Sequence, residues 1–402
     1  MSVTKAIPRP QPRRAPRRRV RLSWSDPVLR GIVWQALVLG LIIGTIWYLV
    51  DNTNRNLATR RIATGFDFLG RVAGIPIGES LIPYDPAIHT YGRALFIGIL
   101  NTLRISVVGI LLATVIGTLI GIGRLSRNWL LARLCAAYVE VMRDIPLLLH
   151  LLFWYTLLQK LPGPRQALRI GDLVVLSNRG IGIPVLHWDA AFGWSLLALL
   201  AGAIAMAVLN RMARRRQEVT GIRTRLWPAA LGLLVLLPLA VWLWFGAPHA
   251  VERPVLRGFN FEGGATLTPE YAALLLGLVI YTAGFIAEIV RSGILAVPHG
   301  QWEAAAAQGL RRGLILRKIV LPQALRVIIP PMTSQYLNIT KNSSLAVAIG
   351  YQDLVSIANT TLNQTGQAIE GIAYIMAVYL TISLSISLFM NFYNARIALT
   401  ER

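Results

Sequence analysis

The sequence predicts an all-α polytopic membrane protein with about eight transmembrane helices, and three observations predict it. The 402 residues are 55% hydrophobic and only 14% charged, too apolar for a solvated globular surface. Runs of about 20 apolar residues, the length that crosses a ~30 Å hydrocarbon core, recur along the chain. Lys and Arg gather in alternate connecting segments. Backbone amides find no water in hydrocarbon, so each apolar run is expected to be helical.

Taken in order, the first span is 31–50, uncharged throughout, behind a basic tail of nine Lys/Arg in residues 1–30. Pro8, Pro10, Pro12 and Pro16 make that tail a poor helix, so disorder is expected there. The apolar run after it is longer than a signal h-region and lacks a small-residue cleavage site, which predicts an uncleaved anchor. In 51–92, Ile62, Phe66 and Leu69 fall at helical spacing beside Arg60, Arg61 and Arg71. That pattern fits a helix lying on the outer membrane face or, equally, an irregular loop.

The second span covers 93–121, with Gly109, Gly117 and Gly121 forming a small-residue face for close packing. The third, 133–158, is interrupted by Pro146; the fourth and fifth are 191–209 and 226–246. The sixth is 269–290 and the eighth 371–394. Between them 326–349 is the weakest, because Pro330, Pro331 and Lys341 dilute its hydropathy. Eight crossings leave both termini on one side. Segment 210–225 holds six arginines and 291–325 holds five basic residues, against none in 350–370 and two in 247–267. The positive-inside rule therefore puts both termini and 291–325 in the cytoplasm.

Several chemistries are excluded. No GxxxxGK[ST] phosphate loop, HExxH or GxSxG pattern occurs, the five histidines are scattered, and Cys135 is the single cysteine. No cofactor, no metal site and no enzymatic reaction are expected. The net charge of +22 does not call for nucleic acid, because the basic tail directly precedes a span, where Lys and Arg anchor topology and attract anionic membrane lipid.

Residues 303–322 read EAAAAQGLRRGLILRKIVLP. Small residues after Glu303 can press into a partner's groove, and Gly309 permits a sharp turn. Leu321 and Pro322 are expected to stop a second short helix before the next span. Glu303, Ala304 and Ala305, then Gly309, then Ile319, Leu321 and Pro322 resemble the EAA loop of bacterial ABC-importer permeases, the elbow that docks into an ATPase subunit. Asn101-Thr102-Leu103, Arg124-Leu125-Ser126, YVEVMRDIP at 138–146, KIVLPQALR at 318–326 and KNSSLAVAIG at 341–350 are similar, in consistent order, to the polar amino-acid permease family.

The resemblance implies a type I ABC-importer permease core in two parts, 93–158 and 269–402, the second including the docking loop 300–325. The tail 1–30, the first span with its outer segment (31–92) and an inserted region with a helical hairpin (159–268) are additions. This layout looks like the larger permease of general amino-acid importers. The resemblance implies a bacterial inner-membrane location, an ATP-binding ABC subunit (a dimer), a periplasmic amino-acid-binding protein and a second, different permease as partners. An ion-coupled secondary transporter or channel is the alternative function.

An amino-acid zwitterion must find charges or dipoles on its path. Lys341 could pair with a carboxylate, or serve as a structural or snorkelling charge. Asn342, Ser343 and Ser344 offer compact polar contacts, or bond neighbouring helices. Glu288 could receive an ammonium group, or pair with Arg291 one turn on. On the resemblance, Tyr281 and Thr282 also line the path. Arg104, Glu140, Arg143 and Asp144 are expected to pair with one another. Many relatives carry an acidic residue where Asn342 stands, which implies a range centred on neutral and acidic amino acids.

Overall fold

The computed structural model describes residues 27–59, 64–171, 174–186, 189–221, 224, 226–247, 251–258 and 260–397. The basic tail before residue 27 and Ile62 lie outside them. The chain divides at residue 65 into two units. The first contains α1 (Pro27–Thr59), one continuous 33-residue helix with an ion pair from Arg55 to Asp51 one turn back, 2.8 Å.

The second unit is built around α2 (Tyr91–Gly123) and α8 (Pro269–Leu295). Each starts on a threonine cap: the Thr90 hydroxyl accepts from the Arg93 N–H, and the Thr268 hydroxyl from the Tyr271 N–H. The glycine face of α2 sets their approach. A Cβ at Gly117 would lie 2.7 Å from the Ile286 Cβ, and one at Gly121 2.6 Å from the Ala287 carbonyl oxygen. The backbones can therefore close only over glycine.

The expected third span is broken. α3 (Trp129–Asp144) and α4 (Leu147–Gln159) meet at 102° across Ile145-Pro146. Pro146 has no N–H to donate, and Ile145 before it is extended, as a residue preceding proline prefers. The inserted hairpin is α5 (Ala190–Thr220) followed by α6 (Trp227–Leu231), a π turn at 232–236 and α7 (Leu237–Trp244). Here α5 outruns the expected span by about three turns, so Arg211 and Arg214 to Arg216 ride on helix rather than loop. Gly221, in the left-handed region at φ 69°, ends it.

A second correction concerns Leu321-Pro322. After α9 (His299–Ala307) and α10 (Arg312–Ile315), a π turn at 316–320 runs directly into α11 (Leu321–Asn342). Pro322 does not stop the helix. Both π turns immediately precede a Leu-Pro pair at the start of the following helix, Leu237-Pro238 and Leu321-Pro322. A widened turn removes the demand for a proline N–H and takes the preceding carbonyl away from the ring. 3-10 turns at Ser343–Ile349 continue from α11, then come α12 (Leu354–Thr365) and α13 (Ala368–Ile397).

Among the described residues six helical stretches are long and apolar enough to cross a membrane, and the broken α3–α4 pair makes a seventh. The remaining expected span is α11, 22 residues or about 33 Å long, whose two internal prolines, polar side chains and Lys341 lower its hydropathy. In place of the helix considered over 62–71, the described part holds only a 3-10 turn at Asp67–Gly70.

Between α4 and α8 the chain forms strands that no helical pattern announced. β1 (Leu168–Ile170), β2 (Val174–Ser177) and β3 (Gly180–Ile183) make an antiparallel sheet with β8 (Ala265–Leu267), in order β1-β2-β3-β8. Two further antiparallel ribbons pair β4 (Val185–Leu186) with β5 (Val251–Glu252) and β6 (Val255–Arg257) with β7 (Asn260–Glu262). The turn between β2 and β3 runs through Ser177-Asn178-Arg179-Gly180, where the Arg179 N–H donates to the Ser177 hydroxyl at 3.3 Å and Gly180 takes φ 121°.

Candidate functional site

The elbow is the first part of the site. Gly309 adopts φ 73°, a conformation that costs a side-chain-bearing residue about 1–2 kcal/mol. It ends α9 with its N–H donating to the Ala306 carbonyl at 2.9 Å. Ala305 turns inward and is buried with Val297, Ile315, Val320, Ala324 and Ile328, so α9 sits on apolar side chains of the helices it connects. Ala304, Ala306, Ala307 and Glu303 point outward. The Glu303 carboxylate lies 2.9 Å from His299 Nδ1. Beside it runs a groove of about 490 Å³ lined by Trp302, Glu303, Ala306, Leu310, Arg312 and Ile315. Ile319 and Pro322 are half-buried and Leu321 is exposed.

Glu288, in the C-terminal part of α8, is held between two arginines. Arg291 donates to it at 2.9 Å and Arg124, just past α2, makes a second close ion pair. The carboxylate thus staples the C-terminal ends of α2 and α8. Tyr281, two turns earlier, packs edge-on to His150 of α4 at 5.9 Å and tilts against Phe285 at 5.0 Å. Thr282 is buried.

Lys341, Asn342, Ser343 and Ser344 lie where α11 passes into its 3-10 turns. Lys341 is exposed, Asn342 half-buried and Ser343 buried, with its hydroxyl donating to the Thr340 carbonyl at 2.8 Å. Ser344 donates to the Lys341 carbonyl at 2.7 Å. Lys341 and Ser344 share a groove of about 440 Å³ with Val347, Val355, Asn359 and Tyr379, and no residue of α8 lines it. The sequence candidates therefore fall in two places: Lys341 to Ser344 at the C-terminal end of α11, and Tyr281, Thr282 and Glu288 along α8.

A polar network at the end of the core away from the elbow was not legible as a site. The Glu79 carboxylate receives Arg104 at 2.7 Å and both the amide, at 3.1 Å, and the hydroxyl of Thr268. Asn101, buried in α2, donates to the carbonyls of Glu79 and Gln352 at 3.0 and 2.9 Å. Gln352 accepts from the Gly78 N–H at 2.6 Å and donates to the Pro76 carbonyl at 2.7 Å. Arg104 thus pairs with Glu79 and stacks 4.2 Å over the Tyr271 ring, instead of joining Glu140, Arg143 and Asp144. Those three are exposed, with Arg143 5.0 Å over Phe285. Asp353 caps α12, accepting from the Ser356 N–H at 2.9 Å and from the Tyr379 hydroxyl at 3.4 Å. Burial pushes its carboxyl up to about 6. The available signal was Asn101-Thr102, two polar residues inside an apolar helix.

Residues 227–399 match the family described as binding-protein-dependent transport system inner membrane component. Along nearly its whole length the chain is similar to three transport proteins. It is 52% identical to the ABC transporter permease protein YhdX of Escherichia coli (strain K12), over 95% of this chain and 97% of that one. The chain belongs to the amino-acid ABC transporter permease family. It is 49% identical to the general L-amino acid transport system permease protein AapQ of Rhizobium johnstonii, over 95% of this permease and 96% of that one. It is 41% identical to the glutamate/glutamine/aspartate/asparagine transport system permease protein BztB of Rhodobacter capsulatus, over 94% and 96%. Alignment over such lengths takes in the inserted hairpin, so the permease shares its enlarged layout with these relatives. They are transport subunits, not enzymes.

Proposed function

We propose that this permease forms the membrane path of an ATP-driven amino-acid importer and receives its drive through the elbow 299–325. The carrying observation is the elbow's construction: a left-handed turn at Gly309, a buried Ala305 face on the helices and an exposed face beside a groove. In this reading an ATP-binding subunit, working as a dimer, docks at the exposed Glu303, Ala304 and Gly309, with Ile319, Leu321 and Pro322 carrying the far arm; Ala305, expected in the docking surface, is buried and seats the elbow on the helices instead. A periplasmic binding protein delivers substrate at the outer end, and a second, different permease completes the path. Both termini face the cytoplasm. The boundaries 1–30, 31–92, 93–158, 159–268 and 269–402 separate the additions from the two core parts.

Within the path, Lys341, Asn342, Ser343 and Ser344 contact substrate at the outer end, with Tyr281, Thr282 and Glu288 along α8 beneath. The exposure of Lys341 in a groove supports a carboxylate contact, whereas the Glu288 carboxylate already serves two arginines. An amide at Asn342 supplies no negative charge for a basic side chain; a carboxylate ~4 Å from a cation would gain about 4 kcal/mol at an effective dielectric near 20, before desolvation. The carried range is therefore centred on neutral and acidic amino acids, in keeping with the names of AapQ and BztB.

Uptake of labelled glutamate, glutamine and arginine by vesicles holding the assembled transporter tests this. Uptake should require ATP and the binding protein and survive dissipation of ion gradients; uptake that follows an ion gradient without ATP would establish the secondary transporter instead. Asn342→Asp should shift preference toward arginine, and an unchanged profile would remove this block from the path.

A further inference from the structure

The hairpin of α5 to α7 has a polar cleft outside the residues assigned above to the substrate path and the elbow. It opens between the last turns of α5 and the start of α6, has a volume of about 530 Å³, and is lined by Asn210, Ala213, Arg214, Gln217, Thr224 and Trp227. Asn210, Ala213, Arg214 and Gln217 fall at helical spacing, so one face of α5 presents all four together.

The cleft sits at a defined depth. The apolar part of α5, 190–209, spans about 30 Å, the thickness of the hydrocarbon core. Asn210 therefore emerges at its edge and Arg214 lies one turn beyond, in the headgroup layer. Trp227 opens the return helix and is exposed, as tryptophans are at that interface. No carboxylate lies within ion-pair distance of Arg214 among the described residues. Arg211, Arg215 and Arg216 neighbour it in sequence, Glu218 stands one turn on as the single acid of 210–225, and the connecting sequence adds Arg223 and Arg225. A guanidinium flanked by two side-chain amides and a hydroxyl, in a segment of six arginines and one acid, offers donors and positive charge to a phosphate oxyanion.

We propose that this cleft binds the phosphodiester headgroup of an anionic phospholipid. Arg214 pairs with the phosphate oxygens, Asn210, Gln217 and Thr224 donate to the remaining oxygens, and Trp227 lies along the glycerol and upper acyl chain. The proposal rests on the hairpin's spanning the membrane, part of the reading above, but not on which side its turn faces.

The test is lipid retention by the assembled permease in nanodiscs containing equal phosphatidylglycerol and phosphatidylcholine in both leaflets. Lipids that survive delipidation are counted by native mass spectrometry. Wild type should retain phosphatidylglycerol selectively. Arg214→Gln should lower retention about five-fold, equivalent to about 1 kcal/mol for one basic residue at the surface. Arg214→Lys should keep most of it, and Arg216→Gln, outside the cleft, should change it less than two-fold. Equal loss in Arg214→Gln and Arg216→Gln, or no loss in either, would overturn the site. An added excess of inorganic phosphate separates the two sources of this chemistry: lipid that stays bound supports the headgroup, whereas displacement by phosphate alone would make it a free-anion site. Orientation is read separately, by impermeant labelling of Ala213→Cys lacking Cys135. Labelling from outside would refute the cytoplasmic turn and leave lipid retention untouched.

Discussion

At the elbow end of the core the closure is mainly apolar, with Val290, Val297, Ala305, Ile315, Val320, Ala324 and Ile328 buried together, beside the long-range staple from Arg124 to Glu288. At the opposite end the closure is polar and assembled from afar. Gln352 bonds residues 274 and 276 positions away, and Thr268 reaches a carboxylate 189 positions away. Apolar contact is summed over many weak pairs and yields only when the whole patch separates. Discrete hydrogen bonds, each a net ~1 kcal/mol, break and re-form one at a time, with water as substitute. The elbow end is thus packed as one patch with α8 and α11, while the opposite end is held by separable bonds. Under the proposed importer function, alternating access asks for that division.

Breaking the inner patch should have the largest effect. Ala305→Asp would bury a carboxylate among aliphatic side chains, a loss of more than about 3 kcal/mol. The elbow should become protease-sensitive while the spans stay inserted, which limited proteolysis of membranes would read; an intact elbow would refute the buried seat of Ala305.

The outer network has a pH dependence that the inner patch lacks. Desolvation raises the Asp353 carboxyl from 3.8 to about 6, so the folded protein holds a proton that the unfolded chain has released between those values. Stability from this group therefore falls as pH rises through about 4 to 6, by up to ~3 kcal/mol. Thermal unfolding of wild type should gain on Asp353→Asn as pH is lowered from 7 to 4.5. Parallel curves for the two proteins would contradict the buried acid.

Glu79→Ala leaves Arg104 and Thr268 without their shared acceptor at a cost of about 2 kcal/mol. The Arg104 side chain is 25% exposed, so water recovers part of it. Loosened at that end alone, the transporter should hydrolyse ATP faster without the binding protein. An unchanged basal rate would mean the network is structural only.

The same contrast explains what the sequence could disclose. The elbow is local, so the spacing of Glu303, Gly309 and Pro322 exposed its existence, and the glycine face of α2 announced a close helix contact without naming α8 as the partner. Pro322 misled because the π turn that absorbs it has no residue signature of its own. Helix α5 runs past the apolar stretch that ends at 209, because arginine is a good helix former and Gly221 stops it. The outer sheet escaped because strands of two to four residues carry too little alternation to register. Glu79, Gln352 and Asp353 acquire their meaning only from partners that the chain brings in from other elements.

The central claim, that drive enters through the elbow, is tested most directly at Gly309. A valine there opposes φ 73° with a β-branched side chain, and nothing lies within 4 Å of an added Cβ, so any defect comes from the turn and not from crowding. Gly309→Val should insert in the membrane at wild-type levels yet fail to co-purify with the ATP-binding subunit and fail to support uptake. Wild-type co-purification and uptake would contradict the account.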